Sequence, residues 1–186
     1  VAIGLTGCLQ AATPTAKPTS SAPASHTAAP TSKPTPTPST TPTSAPTRFT
    51  ESCTTLLSAA QLYAYNPNFV TDSGYAPKAG TIAAAIRAAL GQNCGWVNET
   101  SKVELEVGVA TPGSRGLAAA RSAASGGSAI SSNGEPGFFA VQNGIGSAQF
   151  FIGTLWLDVS SADFTVPQDA QPVYAVVVHN QMTAGG

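Results

Sequence analysis

From residue 50 onward the spacing of apolar positions changes several times, and each change predicts an element. Leu56, Leu57, Ala60 and Tyr63/Ala64 recur at helical spacing behind the capping side chains of Thr50-Glu51-Ser52. They predict a helix over 53–63 with Cys53 in its first turn, ended by Asn66-Pro67-Asn68. Residues 66–79, with Asp72-Ser73-Gly74 and Pro77, read as irregular. Thr81 caps a second helix through Leu90, with Ile82, Ile86 and Leu90 on one face and Gly91 at its end. Val103, Leu105, Val107 and Val109 then alternate with Glu104, Glu106 and Gly108. That is a strand with one face on a core and its two glutamates facing water. Paired through the turn Asn98–Ser101 with a strand around Cys94-Gly95-Trp96, it makes an antiparallel hairpin.

Pro112-Gly113-Ser114 opens an alanine-rich helix over 114–124, closed by Gly126-Gly127, and 125–136 reads as a loop. Phe138–Gln142 and Ala148–Ile152 flank Asn143-Gly144-Ile145-Gly146, a strong hairpin signal. Leu155–Ser160 sets Leu155, Leu157 and Val159 against Trp156, Asp158 and Ser160, after a turn or bulge at Gly153-Thr154. The last segment is divided. Pro172–Val178 has strand composition, whereas Pro167 and Asp169 suit the first turn of a helix over 168–182, or one starting at Pro172. The helix is the expectation. The fold class is therefore α+β: an antiparallel sheet of about five strands, with helices packed on its faces, in a single domain over 50–186.

Upstream the pattern is of another kind. Val1-Ala2-Ile3-Gly4-Leu5 leads through Thr6-Gly7 to Cys8, which resembles the lipobox of bacterial lipoproteins. The resemblance implies that 1–8 is the remnant of a signal peptide, that Cys8 becomes the first mature residue, and that its thiol carries diacylglycerol. Acyl chains contribute about 0.8 kcal/mol per buried methylene, enough for firm anchoring. The apolar run is far shorter than the ~20 residues a membrane-spanning helix needs. Residues 9–49 hold nine prolines among Thr, Ser and Ala, with almost nothing large and apolar to bury. Such a segment is a disordered tether biased to polyproline II, reaching on the order of 120 Å when extended. Its Thr/Ser-Pro composition suits O-glycosylation. The implied location is the outer face of the cell membrane, with the domain held out into the envelope.

Charge narrows the partners. From Thr50 onward there are nine acidic and five basic residues, a net −4. With no basic cluster, nucleic acid is excluded as a partner, because phosphate neutralisation supplies most of that affinity. Of three cysteines, Cys8 is assigned to the lipid, and Cys53 and Cys94 remain. In an exported protein a Cys53–Cys94 disulfide is the natural pairing, against two buried free thiols. Two cysteines with one histidine do not make a zinc site, and no cofactor motif is present.

Cys53 followed by Leu56-Leu57, then Cys94-Gly95-Trp96, then the acidic–apolar strand at 103–109, together with the lipobox and tether, resemble a family of exported actinobacterial lipoproteins, domain of unknown function 3558. The resemblance covers most of 50–183 and implies a PsbP/Mog1-like fold. It implies no activity, since the family has none established. The irregular 66–79 stretch and the valine-rich last segment depart from it.

The constellations that catalysis needs are missing. His179 is the domain's only histidine, and neither a Gly-x-Ser-x-Gly elbow nor a Ser-x-x-Lys pair occurs. Glu104 and Glu106 read as a solvated stripe rather than a carboxylate pair across a cleft. Asp158 and Asp163 read as residues flanking a turn. Trp96, beside the bridge, reads as core. Trp156, opposite the apolar set of its strand, and Phe151 are the candidates for ligand contact. The expectation is a non-catalytic module that binds an envelope lipid, glycan or protein. The alternative is an envelope hydrolase with an unrecognised site involving His179.

Overall fold

The structure, a computed structural model, describes residues 43–184. The lipobox, Cys8 and the tether up to residue 42 lie outside the described residues. Two short helices, α1 (Cys53–Leu56) and α2 (Ala59–Tyr65), stand where one was expected over 53–63. Ser58 divides them. It is extended (φ −70°, ψ 157°) and forms a capping box with Gln61. Gln61 N–H donates to Ser58 Oγ at 3.3 Å, and Ser58 N–H donates to Gln61 Oε1 at 2.9 Å. A serine side chain that caps a new helix outcompetes continuation of the old one.

The stretch read as irregular holds a short strand, β1 (Phe69–Thr71). Helix α3 (Ile82–Ala88) is capped by Thr81, whose Oγ1 accepts from Ala84 N–H at 3.2 Å. Leu90, expected on its buried face, is instead exposed and takes the left-handed conformation (φ 64°). Gly91 serves another need: a Cβ there would lie 2.5 Å from the Val109 carbonyl oxygen.

The hairpin of β2 (Gln92–Asn98) and β3 (Glu104–Ala110) is present, followed by α4 (Gly113–Ala124). The segment 125–136, expected as a loop, contains β4 (Ser128–Ser132). It pairs with β5 (Glu135–Gln142) through a two-residue turn at Asn133-Gly134, both at positive φ. An Asn-Gly turn of the same kind at 143–144 joins β5 to β6 (Ile145–Ile152), and β7 (Leu155–Ser161) follows. The last element is a helix, α5 (Pro167–Ala184), with Pro172 inside it. Asp169 Oδ2 accepts from the N–H groups of Thr165 and Val166 at its start. Pro172 forfeits one bond to a carbonyl in the exposed opening turns, so the helix tolerates it.

Seven strands, two more than expected, form one antiparallel sheet in the order β1-β2-β3-β7-β6-β5-β4. Because side chains alternate, the sheet has two distinct faces. One carries Trp96, Leu105, Val107, Val109, Phe139, Ala148, Phe150, Leu157 and Val159 against α1, α2 and α5, and is the larger core. Val173, Tyr174, Val177 and Val178 are the buried stripe of α5. The Cys53–Cys94 disulfide (Cα–Cα 5.6 Å) ties α1 to β2 on this side. The other face is covered only in part, by α3 and α4, over a smaller cluster of Ile86, Ala110, Ala120, Ala124, Phe151 and Trp156. Among the described residues no helix is long and apolar enough to cross a membrane. The packed domain also begins earlier than residue 50. Thr47 N–H donates to the Thr111 carbonyl at 2.9 Å, and Phe49 N–H to the Leu90 carbonyl at 3.1 Å.

Candidate functional site

On the face carrying α3 and α4, cross-strand register lines up residues from separate parts of the sequence. One row reads Gly95, Glu106, Ser160, Ser147, Ala140 across β2, β3, β7, β6 and β5. The next reads Asn93, Gly108, Asp158, Gln149, Phe138. A third holds Ala110, Trp156 and Phe151. The face therefore grades from apolar, under the helices, to polar, and the polar end is open. There a cleft of about 390 Å³ is floored by Glu106, Ser147 and Ser160 and walled by Ile82, Val103, Ala140 and Ile145. Lys78, Lys102 and Glu104 stand around it.

Asp158 is the centre of this polar array. It is 1% exposed, and both serines of the cleft floor reach it. Ser147 Oγ donates to Asp158 Oδ1, and Ser160 Oγ donates to Oδ2 at 3.0 Å. Burial pushes the Asp158 carboxyl up to about 7, against the two serine bonds, which lower it, and with the nearby Glu106 charge, which raises it further. Glu106 is half-buried, and burial raises its carboxyl above the usual range. The Tyr75 hydroxyl, which faces it, and the Lys78 charge act in the opposite sense. The Tyr75 hydroxyl is itself buried and has no hydrogen bond of normal geometry among the described residues. Burial and the Glu106 charge hold it firmly protonated. Lys78 Nζ bonds Glu104 Oε2 at 3.0 Å, the only ion pair among the described residues.

Glu104 and Glu106, expected to be a solvated stripe, stand at the rim and floor of the cleft. Asp158, expected at a turn, lies in the middle of β7 and is buried. Trp156 and Phe151 do lie opposite the apolar set of their strands and are cross-strand partners. They are not exposed contacts, however: at 8% and 3% exposure they belong to the smaller core beneath the helices. Trp156 Nε1 donates to Gln149 Oε1 at 3.0 Å, and the Arg121 guanidinium sits 5.2 Å from the Phe151 ring centroid. Trp96 is core, as expected. His179 is exposed on α5, on the far side of the sheet, and joins no cluster.

Ser147 and Ser160 were not singled out by sequence. The signal that marks them is a polar residue at every second position of strands whose other positions are apolar, but it becomes a site only once β3 is known to lie beside β7. Among the described residues no group of three or more His, Cys, Asp or Glu is placed to hold a metal ion.

No family model, no curated protein and no solved structure matches the chain.

Proposed function

We propose that the protein is a lipid-anchored component of a bacterial cell envelope, of the domain of unknown function 3558 type, acylated on Cys8 and carried on its proline-rich tether. Its folded domain acts as a non-catalytic module that binds a small polar envelope ligand, a glycan unit or lipid headgroup, in the cleft over Glu106, Ser147 and Ser160. The observation that carries the reading is the shape and chemistry of that cleft. Its volume falls within the roughly 300–1,000 Å³ range of small-molecule sites. A few hydrogen-bonding groups converge at its floor, and apolar Ile82, Val103, Ala140 and Ile145 share its walls with polar side chains such as Gln142 and Asn143. A concave site of this size suits a small ligand better than a flat protein surface.

Filling the cleft with Ala140→Phe should abolish recovery of any molecule that co-purifies with the protein and is detected by mass spectrometry of its extracts. Retention of that molecule in the filled variant would refute the assignment. The anchor has its own test. Processing should stop in globomycin, and Cys8→Ser should release the chain from the membrane fraction.

One observation favours a second reading, an envelope hydrolase. Two serine hydroxyls at the cleft bond a buried carboxyl that titrates near neutrality, a pairing that can activate a nucleophile. This reading requires a fluorophosphonate probe to label Ser147 or Ser160; the binding reading requires that neither is labelled. The version built on His179 draws no support from its exposed position away from the cleft.

A further inference from the structure

The three polar groups at the cleft floor are not equivalent as hydrogen-bonding partners. When Asp158 is ionised, Ser147 and Ser160 each spend their single hydrogen on its carboxylate. What they can offer the cleft is then a lone pair. Glu106, next in the same row, offers a carboxylate. Three acceptors thus stand side by side on β3, β7 and β6, and none of them supplies a donor to a ligand.

The charge balance points the same way. Glu106 is half-buried, and no cation among the described residues contacts it: Lys78, whose charge lowers its carboxyl from a distance, is bonded to Glu104. Asp158 lies behind the serines, and the Tyr75 hydroxyl beside Glu106 is neutral. Lys102 lines the cleft from an exposed position. A half-buried carboxylate with no cation bonded to it is costly. An anionic ligand would be repelled by it, and a neutral one would leave it without a bonded cation. An ammonium group carries three N–H donors and a positive charge, which matches three acceptors, one of them a carboxylate that no cation contacts. The apolar walls of Ile82, Val103, Ala140 and Ile145 favour a hydrocarbon stem behind it.

Resting on the reading of the cleft as a ligand site, we infer that its ligand presents a primary ammonium on a short apolar stem, seated on Glu106, Ser160 and Ser147.

The test uses two probes of one shape, n-hexylammonium and n-hexanol, titrated into the full chain at pH 8.5, where Asp158 is ionised and the amine still charged, with amide chemical shifts as the map. Hexylammonium should bind at least ~10-fold more tightly, as a charge-assisted bond replaces a neutral one. Glu106→Gln should erase that preference, and Glu99→Gln, which alters an exposed carboxylate outside the cleft lining, should leave it intact. Should Glu106→Gln fail to fold, the wild type serves. Acidification should remove the preference as Asp158 and Glu106 take up protons, while hexanol still binds. Sedimentation with phosphatidylethanolamine but not phosphatidylglycerol vesicles, lost in Glu106→Gln, would place the ammonium on a lipid headgroup. Binding of the free amine without sedimentation would place it on a soluble molecule. Equal affinity for amine and alcohol, with shifts at the cleft, overturns the ammonium assignment and leaves the cleft reading standing. Absence of cleft shifts with either probe overturns the cleft reading itself.

Discussion

Glu106 and Ser160 are direct partners across β3 and β7, and Ser160 turns its hydroxyl to Asp158, two residues back on its own strand. Two carboxyls are thereby coupled through one serine in a half-covered sheet. The native Asp158 carboxyl titrates near 7, against an ordinary 3.8. At low pH both the native and unfolded states hold the proton, and folding carries no penalty from ionisation. As pH rises from about 4 to about 7 the unfolded state releases the proton and the native state keeps it. Stability therefore falls over that window, by up to about 1.4 kcal/mol per pH unit. Asp158→Asn, which can accept from Ser147 and donate to Ser160, should flatten this dependence and unfold at higher urea concentration than the wild type at pH 8. Parallel urea midpoints for the two proteins from pH 4 to pH 8 would contradict the assignment.

A second relationship holds the side of the cleft. The Tyr75 ring lies directly on Gly95, so closely that a Cβ at residue 95 would come within 2.3 Å of ring atoms. Gly95 is the partner of Glu106 in the sheet, and its bare Cα is what lets the tyrosine reach that carboxylate. Gly95→Ala should cost about 1–3 kcal/mol through overpacking and lift Tyr75 from Glu106. Tyr75→Phe should cost less and should raise the Glu106 carboxyl further, because the hydroxyl it removes makes no hydrogen bond of normal geometry but faces that carboxylate. Equal urea midpoints for Gly95→Ala and the wild type would refute this packing.

The disulfide supports the opposite face. Cys94 is buried in β2, and Cys53 opens α1, 41 residues earlier in the chain. Closing a loop of that length stabilises by up to about 4 kcal/mol in the chain-entropy model. The double substitution Cys53→Ala, Cys94→Ala should lower the urea midpoint accordingly. The cleft lies on the other face of the sheet, so ligand-induced shifts there should survive under conditions where the variant remains folded.

The disulfide, the β2–β3 and β5–β6 hairpins and α5 were legible in the sequence because each rests on local signals: Cys content, strict alternation, an Asn-Gly turn, a helix start. Strand β4 was not. Ser128-Ala129-Ile130-Ser131-Ser132 has neither alternation nor bulk, and it is a strand because β5 pairs with it. The site was only half legible. Trp156, Asp158 and Ser160 were visible as the non-apolar face of β7, and alternation alone cannot say whether such a face meets water, helices or a cleft. Here successive positions of that face meet different surroundings. Trp156 lies under the helices, Asp158 beneath its serines, and Ser160 at the cleft. The deciding fact, that β7 returns to pair with β3, is a contact between segments about 50 residues apart, and no local pattern encodes it.

The boundary between tether and domain yields the last prediction. Helix α4 lacks a side-chain cap of its own at Pro112. Ser44 supplies one from far upstream: its Oγ accepts from Ser114 N–H at 2.8 Å, while its own N–H donates to Ser114 Oγ at 3.2 Å. Gly113, at φ 72°, allows the approach, since a Cβ there would lie 2.2 Å from the Ser44 carbonyl oxygen. Thr47 and Phe49 add two backbone bonds, and Phe49 packs against the larger core. A proline-rich tether that ended at the compositional boundary would contribute nothing to folding; this one ends in a clasp. Deleting residues 1–42 should therefore leave the urea midpoint unchanged. Deleting 1–49 should lower stability by about 4–6 kcal/mol, from roughly 0.5–1 kcal/mol for each of the four lost hydrogen bonds and about 1.5–2 kcal/mol for one partly buried aromatic ring. Ser44→Ala alone should cost about 1 kcal/mol, the usual value of a helix cap. Identical midpoints for the two deletions would show that the clasp does not form in solution.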